Sequence, residues 1–250
     1  MKALRIPLFD FPDVLIHADE LAVKKHAAFR AAKAGDIAAA GALIADLANL
    51  ECIEGIRSLV NLRAVELVSV HALESEGVNE IPASLANWIA EKLALPISRS
   101  IVQSNSVGHT GASGFERLAH QALFEGDVSI GQLYFLVDDF VGQGGTLANL
   151  IGFIHAGGGI VTGATVLTGK PYSVKLAPDN DLIQLLRNKH GIELEGWWQQ
   201  ITGFGFDCLT RSEARYLEKT PDADSIRSRL VAAGLKGSAN LPGKQASVED

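Results

Sequence analysis

The chain has 250 residues, of which 47% are hydrophobic and 20% are charged, and 22 basic against 29 acidic side chains give a formal net charge of −7. This composition is ordinary for a globular protein, and the length indicates one large domain with or without a small appendage. The acidic balance argues against DNA, RNA or an anionic membrane as a partner, because surfaces for them concentrate Lys and Arg. No apolar run reaches the about 18–20 residues that a membrane span requires.

Cysteine usage and the first residues indicate a compartment. Cys52 and Cys208 are too few for a disulfide framework or a metal cluster and are typical of a reducing environment. The chain reaches Asp10, Pro12 and Asp13 before the apolar core of a secretory signal can form. We therefore expect a cytoplasmic protein.

The first part of the chain predicts helices. Residues 18–33 form an alanine-rich stretch that Gly35 closes, and Asp36 is placed to cap a second helix. Within that second helix, apolar residues recur at helical spacing: Leu43, Ile44, Leu47 and Leu50. We predict an N-terminal helical segment over residues 1–60, serving either as scaffold or as part of a hood, meaning a group of segments that covers a site.

From residue 65 onward, short apolar or β-branched segments alternate with helical ones. The predicted strands cover residues 65–70, 97–102, 133–137 and 160–167, and the predicted helices between them cover residues 82–94, 115–125 and 147–156. Such alternation requires crossover connections and gives a parallel sheet covered on both faces. We predict an α/β fold, doubly wound around a mainly parallel sheet, with its core over residues 61–170.

The last third of the chain predicts more helices and a tail. Residues 179–190 form a helical segment that Gly191 stops, and Thr210 begins a capping box that opens another helix. Residues 171–234 are therefore predicted to be a C-terminal helical addition. Residues 235–250 are rich in Gly, Ser, Asn and charge and are predicted to be a disordered tail.

The most informative segment is residues 133–146, in which a buried strand runs into Asp138 and Asp139 and then into a glycine-rich turn. Side chains alternate along a strand, so two adjacent acids cannot both point into a core. At the carboxyl end of a parallel strand they project into the crevice where α/β proteins bind ligands. Glycines let backbone N–H groups converge on an anion, and a helix that starts at Thr146 adds a favourable dipole.

Carboxylates beside an anion cradle indicate a ligand with hydroxyl groups or a metal ion. A sugar phosphate with a cis-diol, bound with Mg²⁺, satisfies both halves of such a site. No lysine of the Walker type follows the glycines, so a nucleoside triphosphatase loop is excluded.

The segment Val-Asp-Asp-Phe-Val-Gly-Gln-Gly-Gly-Thr resembles the phosphoribosyl-pyrophosphate (PRPP) signature of the type I phosphoribosyltransferase family. The resemblance implies a sheet of that family's kind with helical hood additions at both ends. It also implies an enzyme that uses PRPP and Mg²⁺ to transfer ribose 5-phosphate to a nucleobase-like nitrogen acceptor, with release of pyrophosphate, in nucleotide salvage. The implied roles are ribose hydroxyl binding by Asp138 and Asp139, and 5′-phosphate binding by Gly142, Gln143, Gly144, Gly145 and Thr146.

One residue departs from the family pattern. Gly142 stands where the 6-oxopurine enzymes carry an aspartate that acts as general base. A glycine cannot accept a proton through a side chain, so the base must come from elsewhere or the substrate must need none. The nucleobase therefore stays open.

The resemblance implies further site residues outside the signature. A pyrophosphate loop after the strand at residues 65–70 would use Ser75, Gly77 and Asn79. A flexible catalytic loop over residues 103–114 would bring His109, with Arg117 just beyond it, to the pyrophosphate. Both are therefore catalytic candidates beside Asp138 and Asp139.

The resemblance places the base site in residues 171–234. Lys170 would read the base and Trp198 would stack on it, although Trp198 anchoring the C-terminal helices is the competing interpretation. Asp207 would join Asp138 and Asp139 around Mg²⁺.

Two other functions stay open on the sequence. One is a regulator that keeps the PRPP pocket to sense a nucleotide but catalyses nothing, which Gly142 favours. The other is an enzyme that uses the same sugar phosphate with an acceptor that is not a nucleobase. A homodimer is a further expectation from the resemblance.

Overall fold

The structure is a computed structural model that describes residues 2–60, 64–70, 73–74, 77–107 and 112–239. The strands of the described residues are Leu15–Ala18 (β1), Val65–Ser69 (β2), Leu73–Glu74 (β3), Gly77–Val78 (β4), Ile97–Ser98 (β5), Val102–Gln103 (β6), Phe124–Glu125 (β7), Leu133–Val141 (β8) and Ile160–Gly169 (β9). Five of them form one sheet in the order β1-β9-β8-β2-β5, and every pairing in it is parallel. The short pairs β3-β4 and β6-β7 are antiparallel.

Helices flank this sheet and extend it at both ends. They are Glu20–Lys25 (α1), Phe29–Lys33 (α2), Ile37–Leu47 (α3), Leu50–Val60 (α4), Ile81–Leu93 (α5), Gly114–Ala119 (α6), Gly145–Ala156 (α7), Asn180–His190 (α8), Ile192–Thr202 (α9), Arg211–Glu218 (α10) and Ala223–Ala239 (α11). No helix among the described residues is long and apolar enough to cross a membrane. The predicted α/β class with a mainly parallel sheet is confirmed.

The sheet is covered on both faces because the side chains of its central strand alternate between two apolar layers. Tyr134 and Leu136 of β8 pack into the layer that contains α7. Phe135 and Val137 pack into the layer that contains α3, α4 and α5. A third apolar cluster joins α6 to α8, α9, α10 and α11, which together form the C-terminal addition.

Local signals in the sequence were read correctly at several helix ends. The Asp36 carboxylate caps α3 by accepting a hydrogen bond from the Ala39 N–H at 2.9 Å. Thr210 and Glu213 form the predicted capping box at the start of α10. Gly191 ends α8 with a φ of +78°, a left-handed value that glycine adopts without strain.

Several element boundaries differ from the prediction. The edge strand β1 was missed, because four residues are too few to show a period. The predicted strand at 97–102 divides between two sheets, and the predicted helix at 115–125 ends at Ala119. Helix α11 runs to Ala239, so residues 235–239 of the predicted tail are helical, and residues 240–250 lie outside the described residues.

Candidate functional site

A cavity of about 620 Å³ lies at the carboxyl edge of the sheet. Strands β1, β9, β8 and β2 are parallel neighbours, so the residues that follow them meet at this edge. The cavity brings together most of the predicted site: Asn79, Arg117, Asp138, Asp139, Gly142, Gln143, Gly144, Gly145, Thr146 and Lys170.

The glycine-rich turn offers a row of backbone N–H groups to this cavity. Residues 142–147 line the cavity, and none of their N–H groups has an acceptor in the part of the chain that the structure describes. The first N–H groups of α7 lack partners for the usual reason that no helical carbonyl precedes them. Gly144 caps α7 with a φ of +82° and offers no side-chain acceptor. The turn therefore has the form of an anion cradle.

The carbonyl groups of the same turn are held from outside the cavity. Three side chains donate hydrogen bonds to them: Ser173 to Gly142, Thr210 to Gln143 at 2.5 Å, and Arg5 to Gly145 at 3.5 Å. With its acceptors engaged by the N-terminal segment and the C-terminal addition, the turn keeps its donors for a ligand. Sequence reasoning identified the turn but none of these three supports.

The two adjacent acids have different environments. Asp138 is only 6% exposed, and its carboxylate accepts a hydrogen bond from the Asp139 N–H at 2.8 Å. Burial, followed by the charge of Asp139, raises the pKa of Asp138 well above its ordinary value. Asp139 instead forms an ion pair with Lys33 of α2 at 2.9 Å. The site therefore favours one neutral and one ionised carboxyl group.

The N-terminal helices form a wall of the cavity, which answers the open choice between scaffold and hood. Glu20 of α1 forms ion pairs with Lys170 at 2.5 Å and with Lys24 at 2.6 Å. The pairing with Glu20 raises the pKa of Lys170 above its ordinary value. Arg30 of α2 is exposed and lines the same cavity. Sequence reasoning missed these contacts, because nothing local showed which face of α1 and α2 meets the sheet.

Arg5 and Glu213 form a buried ion pair behind the turn. The Arg5 guanidinium donates to both Glu213 oxygens, at 2.5 and 2.9 Å, and the two side chains are 0% and 2% exposed. Arg5 Nε also donates to Asn149 of α7 at 2.6 Å. A Cβ atom at Gly145 would lie 2.8 Å from Glu213, so that glycine makes room for the pair.

The departure at Gly142 has a structural counterpart. A Cβ atom there would lie 2.6 Å from the Arg117 guanidinium. The space of the family's general base is thus taken by a cation of α6. An aspartate at this position would require Arg117 to move.

Some predicted site residues lie elsewhere. Trp198 is fully buried among the aromatic rings of Phe204 and Phe206, so it anchors the C-terminal helices and the prediction of a base contact is wrong. Asp207 is exposed and does not line the cavity. Gly77 also lies off the cavity and packs against α2, where a Cβ atom would come within 2.6 Å of a carbonyl oxygen.

Two predicted residues and one predicted cofactor complete the comparison. Ser75 and His109 lie outside the described residues. In the residues that the structure describes, no group of three His, Cys, Asp or Glu side chains could hold a metal ion. The predicted set of Asp138, Asp139 and Asp207 around Mg²⁺ is therefore not brought together.

Comparison with known proteins gives two relatives and no family. No protein-family model matches the chain. The chain is 37% identical over 232 residues to "Protein TraN" of Escherichia coli, a match that covers 93% of the chain and 52% of TraN. It is also 37% identical over 145 residues to an "Uncharacterized protein" of Haemophilus influenzae, covering 58% of the chain and 32% of that protein. The chain thus spans about half the length of TraN and about a third of the second relative.

The similarity to Protein TraN corrects the function predicted from the sequence. A relative that matches 93% of the chain does not carry the name of a phosphoribosyltransferase. The prediction of a phosphoribosyltransferase in nucleotide salvage is therefore wrong, as are the transferase and nucleoside-metabolism classes that go with it. The short motif in residues 133–146 specified a kind of binding site and was too narrow a basis for a reaction.

Proposed function

We propose that this chain binds a phosphorylated sugar with adjacent hydroxyl groups in the cavity at the carboxyl edge of the sheet. We propose binding and not transfer of the sugar. The observation that carries this is the row of N–H groups of residues 142–147, which have no acceptor among the described residues and lie beside two carboxyl groups. A phosphate needs donors and a diol needs acceptors, and this cavity offers both next to each other.

The phosphate would lie on the turn and the start of α7. Backbone donors and the positive end of a helix dipole favour a dianion there without any cationic side chain. Arg117 beside Gly142 adds a cation at the rim of the turn. This arrangement explains how a chain with a net charge of −7 can take an anionic ligand.

The hydroxyl groups would meet the end of β8. An ionised Asp139 accepts hydrogen bonds from hydroxyl groups, and a neutral Asp138 both donates and accepts. Gln143 supports the same assignment, because its Oε1 atom is buried and has no hydrogen-bond partner in the described part of the chain. An unsatisfied buried acceptor costs about 1–3 kcal/mol, which a ligand hydroxyl would recover.

We further propose that the sheet is of the type I phosphoribosyltransferase kind. The support is the position of the signature, which begins in the central strand β8 and ends at the start of α7. PRPP is then one member of the ligand class. The matching half of Protein TraN, at 37% identity over 232 residues, would have the same fold and cavity.

Isothermal titration calorimetry with ribose 5-phosphate, ribose and inorganic phosphate tests the proposal. We expect ribose 5-phosphate to bind at least about tenfold more tightly than either fragment, since each hydrogen bond to a charged group contributes about 1.5–3 kcal/mol. In the double variant Asp138→Asn/Asp139→Asn that preference should disappear while inorganic phosphate still binds. PRPP serves as a second ligand in the same series.

The matched control removes two exposed acids that lie away from the cavity. Glu91 of α5 and Asp181 of α8 are exposed, so Glu91→Gln/Asp181→Asn changes the charge equally and should keep the wild-type affinities. Ribose 5-phosphate that binds no better than its fragments to the wild-type protein would contradict the proposal.

A further inference from the structure

Lys33 occupies the place beside the two acids where a divalent cation would be expected. Its Nζ atom lies 2.9 Å from Asp139 Oδ2, and the two side chains are 20% and 14% exposed. The pair joins residues that are 106 positions apart in the sequence. It therefore depends on the way α2 is placed against the end of β8.

Helix α2 is fixed firmly enough to hold that lysine. Its residue Ala32 is completely buried in the apolar layer of α3, α4 and α5. The carbonyl group of Ala34, just after the helix, lies against Gly77, where there is no room for a Cβ atom. Lys33 thus projects into the cavity from an anchored helix.

The residues present do not fit Mg²⁺. This ion requires near-octahedral coordination by oxygen atoms at about 2.0–2.1 Å and takes one or two ionised carboxylates from the protein. Asp138 is buried and already accepts the Asp139 N–H, and Asp139 is paired with Lys33. No set of three acidic, histidine or cysteine ligands exists among the described residues.

Lys33 meets the electrostatic requirement that a metal ion would otherwise meet. Two adjacent carboxyl groups beside a phosphate need a compensating positive charge, because like charges in a partly buried site disfavour one another. An ammonium group has three donors, so it can hold Asp139 and still donate to a ligand oxygen.

We propose that Lys33 replaces the divalent cation in this cavity, so that the sugar phosphate binds without Mg²⁺. This inference rests on the proposed function. It reverses the expectation of a Mg²⁺ site and gives the N-terminal helices a direct part in binding.

Calorimetry in two buffers, one with EDTA and one with MgCl₂, tests the inference. Wild-type protein should bind ribose 5-phosphate with the same affinity in both. Lys33→Gln should lose about tenfold or more in EDTA, the value of one hydrogen bond to a charged group, and MgCl₂ should restore most of it. Lys33→Arg should stay independent of Mg²⁺ because it keeps the charge.

Lys25→Gln is the matched control, since Lys25 is an exposed lysine of α1 that does not line the cavity. It should behave as wild type in both buffers. A wild-type affinity that falls tenfold in EDTA overturns the inference, and so does a Lys33→Gln variant with unchanged affinity in EDTA.

A second readout uses Mn²⁺ without any sugar, followed by electron paramagnetic resonance. Lys33→Gln should bind Mn²⁺ at the vacated carboxylates, and wild-type protein should not. Mn²⁺ bound to the wild-type protein, and lost in Asp139→Asn, overturns the inference and leaves the proposed function standing. Absence of ribose 5-phosphate binding in both buffers overturns the proposed function instead.

Discussion

At the scale of single residues, His17 shows how burial makes the fold sensitive to acid. Its ring lies in β1, is 5% exposed, accepts the Asn49 N–H at 3.0 Å and packs edge-on to Trp88. Burial lowers its pKa to about 4 from an ordinary 6.5. The unfolded chain therefore takes up a proton at a higher pH than the folded protein, and the free energy of unfolding falls as the pH drops from about 6.5 to about 4.

His17→Gln should remove that dependence. We expect the wild-type protein to lose about 2–3 kcal/mol of stability over this range through His17, since one pKa unit corresponds to 1.36 kcal/mol. Urea denaturation at pH 7 and pH 4.5 measures the loss in wild type and in the variant. His155→Gln, at an exposed histidine of α7, should keep the wild-type loss. Equal losses in His17→Gln and wild type would exclude this origin.

At the scale of elements, the N-terminal segment packs against α7 through a glycine. An added Cβ atom at Gly152 would lie 2.2 Å from the Leu4 carbonyl oxygen, so only glycine allows the two backbones to approach. Gly41 in α3 is the opposite case, because an added Cβ atom there meets nothing within 4 Å. The same residue type thus serves contact in one helix and merely lowers helix propensity in the other.

Alanine at these two glycines should have opposite effects on the free energy of unfolding. Gly152→Ala should cost about 1–3 kcal/mol, the usual cost of forcing extra atoms into a packed interface. Gly41→Ala should add about 0.5–1 kcal/mol, because alanine is the better helix former. Urea denaturation measures both. A Gly152→Ala protein as stable as wild type would show that the N-terminal segment is not held against α7.

At the scale of the whole molecule, the Arg5–Glu213 pair joins the two ends of the described chain behind the cradle. Its partners are 208 residues apart, and Arg5 also reaches Asn149 of α7. Arg57 and Glu54 of α4 form an ion pair at 3.4 Å whose side chains are 53% and 71% exposed. The two pairs differ chiefly in burial, which decides what each contributes.

A double-mutant cycle on each pair should separate these contributions. Arg5→Met or Glu213→Gln alone should cost about 3–5 kcal/mol, because each leaves a buried group without its partner. The coupling energy for Arg5 and Glu213 should exceed about 1 kcal/mol, and that for Arg57 and Glu54 should stay below about 0.5 kcal/mol. Thermal and urea denaturation supply the values. Equal coupling in the two pairs would refute the assignment.

The sequence by itself determined the features that depend on neighbouring residues. The period of apolar residues gave the α/β class, and the boxes at Asp36 and Thr210 gave two helix starts. The acids at 138 and 139 with the glycines after them gave a ligand crevice at the end of a strand. Each signal works within a few residues, so it survives without knowledge of the rest of the chain.

Only the tertiary structure decided which distant side chains complete the site. Lys33 with Asp139, Lys170 with Glu20 and Arg5 with Glu213 are 106, 150 and 208 residues apart. Trp198 and Lys33 are both plausible surface residues in the sequence, yet one fills a core and the other faces the acids. Burial and pairing depend on how whole elements dock, and no local pattern encodes that. The charge sum of −7 likewise says nothing about where the cations gather.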